Sequence, residues 1–179
     1  MKTNKDVRGA MLTADQIKQI LQMKPHPIEG GYFAETYRSA ENIAKDALPR
    51  TFDEGPRSIS TAIFYLLTPD TFSAMHRLRG DEMFHFYLGD PVEMLELSPD
   101  GRGELILLGQ NIGAGMKLQH LVPGGSWQGC RLCAGGKFAL MGTTMAPGFD
   151  PRDYDTGKRD DLSAQYPAYA SFISMLTRT

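Results

Sequence analysis

From Gly30 to Thr144 apolar and polar residues alternate with a period of two, and turn-forming residues break the alternation at short intervals. Few architectures accept such a pattern. The segment Tyr32-Phe33-Ala34-Glu35-Thr36-Tyr37-Arg38 reads as a strand, and residues 58–67, 72–78, 83–88, 92–97, 104–108, 118–122 and 137–144 read as others. Arg79-Gly80-Asp81, Gly89-Asp90-Pro91, Ser98-Pro99-Asp100-Gly101 and Pro123-Gly124-Gly125 separate them with residues that tolerate positive φ or preset a turn. Many short strands without intervening helices predict an antiparallel double-sheet fold.

Helical signals lie only near the ends. Thr13 is placed as an N-cap, Gln16 completes a capping box and Leu12 can staple onto Ile17, while Pro25 and Pro27 stop the segment. Leu162, Tyr166, Tyr169, Phe172, Ile173 and Leu176 recur at helical spacing and predict a closing helix on the outside of the sheets. Residues 42–56 carry Pro, Gly and charges without a period and predict a long surface loop at a pocket mouth. The expected organisation is a flexible leader over residues 1–11 and a single domain over residues 12–179.

A net charge of -2 leaves no positive field for a phosphate backbone, so no nucleic-acid partner is expected. The longest apolar run, residues 61–67, is far short of the about 18 residues that cross a bilayer, so no membrane partner is expected either. The charged start has no apolar h-region after it, and a cytoplasmic location is expected. Cys130 and Cys133 form a lone C-x-x-C at a strand end and are read as structural thiols. Gly113, Gly115, Gly124 and Gly125 sit outside any βαβ unit and are read as hairpin turns rather than phosphate loops.

The frame His76-x5-Glu82-x6-Gly89 resembles the first cupin motif, and Pro123-Gly-Gly125-Ser-Trp-Gln128 resembles the second. Together with Glu29-Gly30-Gly31-Tyr32-Phe33, Ser73-Ala74-Met75-His76-Arg77, Asp81 through Tyr87 and Ala146-Pro147-Gly148-Phe149, they make the chain resemble cupin family 5, a family of unknown function. The resemblance implies an all-β dominated fold, a double-sheet, jelly-roll-like cupin β-barrel with a short N-terminal helix and a C-terminal helix. It also implies a homodimer and a more distant similarity to the metal-free sugar-nucleotide epimerases of the superfamily.

Metal-binding cupins supply two His and one Glu from the first motif and one His from the second; here those positions read His76, Leu78, Glu82 and Gln128. Leu cannot ligate and a Gln amide is a weak ligand, so no cofactor is expected. A divalent metal would have only His76, Glu82 and Gln128 to hold it. Without a metal, Glu82 would orient His76 as a general base, with Tyr37, Tyr65 or Tyr87 as the acid. The expected function is small-molecule binding, with proton transfer of the epimerase or isomerase kind on a carbohydrate-like substrate. A non-enzymatic binding barrel and a metal-dependent cupin enzyme are the alternatives.

Alternation puts Phe84, Phe86 and Leu88 on the side of Glu82, as an apolar pocket lining. Arg38, Tyr65, Phe84, Phe86, Trp127 and Gln128 are the expected ligand-binding residues, Trp127 either stacking on a ligand or capping the barrel. Arg77 is a second candidate anion clamp. His85 is read as a half-buried residue of the outer sheet face, and the register of His120 is left open.

Overall fold

The computed structural model describes residues 12–178; the leader expected over residues 1–11 lies outside the described residues. The chain begins with α1 (Ala14–Ile20), where the Thr13 hydroxyl accepts the Gln16 N–H and the Gln16 side chain accepts the Thr13 N–H, the reciprocal capping expected. Thirteen strands follow. They are β1 (Lys24–Pro25), β2 (Tyr32–Arg38), β3 (Asn42–Ile43), β4 (Arg57–Ser58), β5 (Thr61–Leu67), β6 (Phe72–Leu78), β7 (Glu82–Gly89), β8 (Val92–Leu97), β9 (Gly103–Leu108), β10 (Gln119–Val122), β11 (Trp127–Leu132), β12 (Ala139–Met145) and β13 (Tyr154–Thr156).

Two antiparallel sheets carry the fold, one ordered β1-β2-β5-β12-β7-β10 and the other β13-β6-β11-β8-β9. Alternate residues of both point inward and meet in one cluster: Tyr65, Leu67, Phe84, Phe86 and Met141 from the first sheet pack with Met94, Ile106, Cys130 and Leu132 from the second. Each large side chain so buried stabilises the fold by about 1.5–3 kcal/mol, which is what lets the same interior tolerate a polar end. The arrangement is a jelly-roll sandwich of two facing sheets rather than a closed barrel.

Helices cover the outer faces. Ile17 and Met23 pack on Leu66, Phe138 and Leu140 of the first sheet. The second sheet is covered by α2 (Arg159–Gln165) and α3 (Ala170–Met175), whose Leu162 and Ile173 pack with Met75, Leu95 and Leu97. The single closing helix expected is thus two, broken where Pro167 follows Tyr166, because proline disfavours helical backbone at the residue before it.

Residues 42–56 are less free than a plain loop. β3 pairs with β4, Phe52 is buried, and the segment is held by an ion pair that is itself buried. Arg57 donates from Nε and Nη2 to the two carboxylate oxygens of Asp153, both at 2.7 Å, and its Nη1 donates to the carbonyls of Glu54, Gly55 and Pro56. Strand β11 is announced in the sequence only by its Cys-containing end, because Gly129 interrupts its pattern. It is in fact central, pairing with β6 on one side and β8 on the other.

Candidate functional site

At one end of the sandwich the interior changes from apolar to polar, and irregular strand pairing brings the polar groups together. In the β6–β11 pair Gln128 lies opposite His76 and Cys130 opposite Ser73, so Ala74 and Met75 of β6 stand against Gly129 alone of β11. Ser73 and His76, an odd number apart, consequently share the inner face. Glu82 opens β7 opposite Met145 and Val122. Glu29 arrives from the turn before β2, where its carbonyl accepts the Ala74 N–H at 2.9 Å. The next residue has to be glycine: Gly30 has φ 102°, and a Cβ there would lie 2.4 Å from the Phe72 carbonyl oxygen.

Hydrogen bonding fixes where the imidazole protons sit. His76 Nδ1 lies 2.8 Å from the Ala74 carbonyl, which can only accept, so Nδ1 carries the hydrogen and neutral His76 has its lone pair on Nε2. That Nε2 faces Glu29 Oε1 at 3.7 Å. His26 is the reverse: its Nδ1 accepts the N–H groups of Ile28 and Glu29 at 3.4 and 3.0 Å, so the ring is neutral and its Nε2–H is directed to Glu29 Oε1 at 3.8 Å. Glu29 therefore stands between two imidazoles of opposite tautomer. The Ser73 hydroxyl donates to its other oxygen at 3.4 Å, and the Tyr154 ring stacks on His76 with centroids 5.0 Å apart.

Glu82 is held by Gln128, whose Nε2 donates to Oε2 at 2.6 Å. Burial raises the Glu82 carboxyl above its ordinary range and the charge of Glu29 raises it further, against the pull of His76, Thr143 and Gln128. Burial likewise raises Glu29, opposed by His26 and Ser73. Both imidazoles are lowered, chiefly by burial. Two buried acceptors, His76 Nε2 and Gln128 Oε1, have no partner among the described residues. Orphaned buried groups of this kind are rare and cluster at sites that receive something.

In front of these groups lies a cavity of about 140 Å³. Its polar wall is His26, Glu29, Glu82 and Thr143; its apolar wall includes Phe33, Ile63, Leu78 and Met145; Glu35, Arg38, Phe149 and Pro151 also line it. Arg38 reaches the cavity through a bulge in β2, where Glu35 pairs with Ile63 but Tyr37 pairs with Ala62. Beyond the bulge the parity reverses, so Arg38 joins the side of Phe33 and Glu35 and Tyr37 turns outward.

Of the expected site residues, His76, Glu82, Gln128 and Arg38 fall in this region. His76 and Gln128 lie behind the cavity wall rather than on it. The expected base is thus not the group that meets the cavity; Glu29 and Glu82 are. Tyr65 is buried among the core residues, and its hydroxyl donates to the Gly30 carbonyl at 2.8 Å. Phe84 and Phe86 face inward as expected but are consumed by core packing. Leu88 does not follow them, because the β7–β12 register shifts at Tyr87 and turns it outward. Trp127 faces away from the interior, packing with the helix-covered cluster under the guanidinium of Arg77, which pairs with Asp155 at 2.7 Å; neither serves the cavity.

Tyr87 is exposed on the outer face and stacks on His85, which bonds Thr144 and Gln119 there, so Tyr37 and Tyr87 are both removed as acids. His120 faces inward and pairs with Glu96 of the opposite sheet at 2.7 Å. The sequence reading missed His26, Glu29 and Tyr154. Glu29 had a signal, since it begins Glu-Gly-Gly, and an acid before two glycines marks a close backbone approach carrying a polar group.

The donor set does not suit a divalent metal. Leu78 contributes no donor at the second motif position, Gln128 turns its NH2 rather than its oxygen to Glu82, and His76 Nε2 stays 3.7 Å from Glu29. Among the described residues no three His, Cys, Asp or Glu are grouped to hold an ion. Cys130 and Cys133 are free, Cys130 buried in the core with its thiol raised by burial. No helix of the described residues is long and apolar enough to cross a membrane.

The profile of the family described as Cupin superfamily (DUF985) matches residues 15–157. An uncharacterized protein of Saccharomyces cerevisiae is 30% identical over 141 residues, 74% of this chain and 70% of that protein. A hypothetical protein from Leishmania major superposes with a TM-score of 0.81 at 30% identity, over 94% of this chain and 100% of that one. A Shewanella oneidensis protein superposes with a TM-score of 0.82 at 30% identity, over 94% and 99%. A dTDP sugar isomerase from Desulfovibrio desulfuricans shares the fold alone, with a TM-score of 0.51 at 14% identity over 75% and 88%.

Proposed function

The chain belongs to the cupin superfamily, in the family designated DUF985, and from that premise we propose that it binds a small molecule between its sheets and moves a proton on it, as a metal-free isomerase or epimerase. The observation that carries this reading is the pair of buried carboxyls, Glu29 and Glu82, on one wall of one cavity. Burial raises both carboxyls and the charge of Glu29 raises Glu82 further, so ionising one disfavours ionising the other. One member is then an acid and the other a base, facing the same ligand.

The step is a proton transfer next to a carbonyl. Glu29 takes the proton, the C–H electron pair moves toward the carbonyl carbon and charge collects on its oxygen. Glu82, on the same wall, returns a proton from the same face, to the neighbouring carbon in an isomerisation. His26 Nε2–H supports the charge on Glu29, and His76 Nε2, with its open lone pair, receives the proton that Glu29 carries away. His76 is thus a positioning and proton-storing residue.

A carbohydrate-like substrate with an acidic C–H suits this chemistry. Incubation of the protein with a metabolite extract in heavy water, read by mass spectrometry, is expected to place deuterium in one compound. Glu29→Gln is expected to reduce the exchange by about 10²-fold or more. Compounds that bind and come back unlabelled would leave a binding protein without catalysis, and exchange that persists in Glu29→Gln would remove the proposed base.

A homodimer belongs to the same reading. The edge strands β9 and β10 expose Leu105, Leu107, Leu118 and Leu121 around the connection between the two sheets, an apolar margin suited to a second copy.

A further inference from the structure

The polar wall of the cavity is rich in acceptors and poor in positive charge. Glu29 and Glu82 form no ion pair with a Lys or Arg among the described residues, and the one Arg in the lining is already engaged. Arg38 Nε and Nη2 donate to the Glu35 carboxylate at 2.7 to 3.1 Å, and its Nη1 donates to the Phe149 carbonyl at 3.0 Å. Behind the two carboxyls, His76 Nε2 and Gln128 Oε1 add two acceptors on directly opposed residues, each about 99% buried and lacking a donor.

The other groups around the pair do not correct the imbalance. His26 is neutral with its Nδ1 occupied, Tyr65 and Tyr154 have phenols raised by burial, and the Cys130 thiol is raised likewise. Thr143 and Ser73 are uncharged. Arg178 approaches Gly30 from the C-terminal end and its charge reaches His26 and Tyr154, but it stands outside the lining and pairs with neither carboxyl. A buried negative charge without a cation is costly, and the two acceptors without a donor directly behind it leave it no donor from that side, so a cationic donor is the group that relieves it.

We propose that the cavity takes a small molecule bearing a protonated primary amine, with the ammonium between Glu29 and Glu82 and the carbon body against Phe33, Ile63 and Met145. The inference rests on the ligand-binding reading above and narrows it to an amino-substituted substrate. An ammonium has three N–H donors and no acceptor, the complement of a wall that carries two carboxyls and no free cation. An anionic ligand would meet the wall with the wrong sign, and a divalent ion would lack a grouped set of three ligands among the described residues.

The test is isothermal titration with three molecules of one skeleton: isoamylamine, isoamyl alcohol and isovalerate, together with inorganic phosphate and manganese(II) alone as further arms. The amine is expected to bind roughly tenfold or more tighter than the alcohol, the scale of hydrogen bonds to a charged group. Isovalerate, phosphate and manganese are expected to bind more weakly still. Glu29→Gln and Glu82→Gln are each expected to abolish the preference for the amine while their thermal unfolding stays cooperative, and Glu104→Gln on the exposed edge is expected to retain it. Equal binding of amine and alcohol, preference for an anion or for manganese, or an unchanged preference in Glu82→Gln would overturn the proposal. The deuterium experiment separates the two readings: exchange on a compound without an amine defeats this one alone, and amine binding without exchange defeats only the catalytic one.

Discussion

The two imidazoles and two carboxyls of the polar end work against stability in opposite pH ranges. His26 and His76 are held below the ordinary 6.5, so an unfolded chain takes up protons that the folded chain refuses as the pH drops below 6.5. Their contribution is complete above 6.5 and is lost as the pH falls toward the folded-state values. Glu29 and Glu82 are raised above 4.5, so the folded chain keeps protons that an unfolded one releases. Their contribution is present below 4.5 and is lost as the pH rises through the folded-state values. Urea unfolding of His76→Gln is expected to show a shallower loss of stability between pH 6.5 and 4.5 than the parent. In Glu82→Gln, stability at neutral pH is expected to rise by roughly 0.5–2 kcal/mol, as when a functional site is relieved of strain. Parallel pH slopes for parent and His76→Gln would show that burial does not hold that ring neutral.

Among the elements, the buried Arg57–Asp153 pair has a structural role that the cavity depends on. It ties the segment after β3 to the turn carrying Phe149 and Pro151, and both of those residues line the cavity. Removing one partner strands the other charge out of water, so Arg57→Ala is expected to destabilise the fold by about 3–5 kcal/mol in denaturant titration. A loss below about 1 kcal/mol, the worth of an exposed pair, would mean that the pair is solvated. The elements also show what could be read in advance. β6 and β8 have the bounds that alternation gave, because their hydrophobic phase and flanking turns agree. The positions of Leu88, Tyr37 and Ser73 could not be read, since each depends on a bulge, and one extra residue reverses every later side chain while leaving the composition unchanged. His76 and Glu82 were legible from their motif spacing. Their arrangement with Glu29 was not, because a contact between a turn and two strands leaves no periodic trace.

For the whole molecule, the apolar margin at β9 and β10 predicts association. Light scattering after size exclusion is expected to give twice the chain mass, and Leu107→Glu, which puts a charge on the exposed side of β9, is expected to give the single-chain mass with the fold intact. A parent that elutes at the single-chain mass would leave Leu105, Leu107 and Leu121 as ordinary exposed leucines. The same scale explains why a jelly roll can hold a costly polar cluster: the apolar interior and the two helix-covered outer faces are separate stabilising layers, so the polar end draws on neither.

The irregularity in β2 gives the mouth of the cavity an unusual freedom. Since the surplus residue near Thr36 decides whether Arg38 or Tyr37 looks inward, drawing Thr36 into the regular ladder would exchange a guanidinium for a phenol at the threshold without altering the sequence, whereas losing that residue would leave Arg38 where it is. One scaffold thus holds two thresholds that differ only in the pairing of a single residue, a change that counting substitutions would overlook.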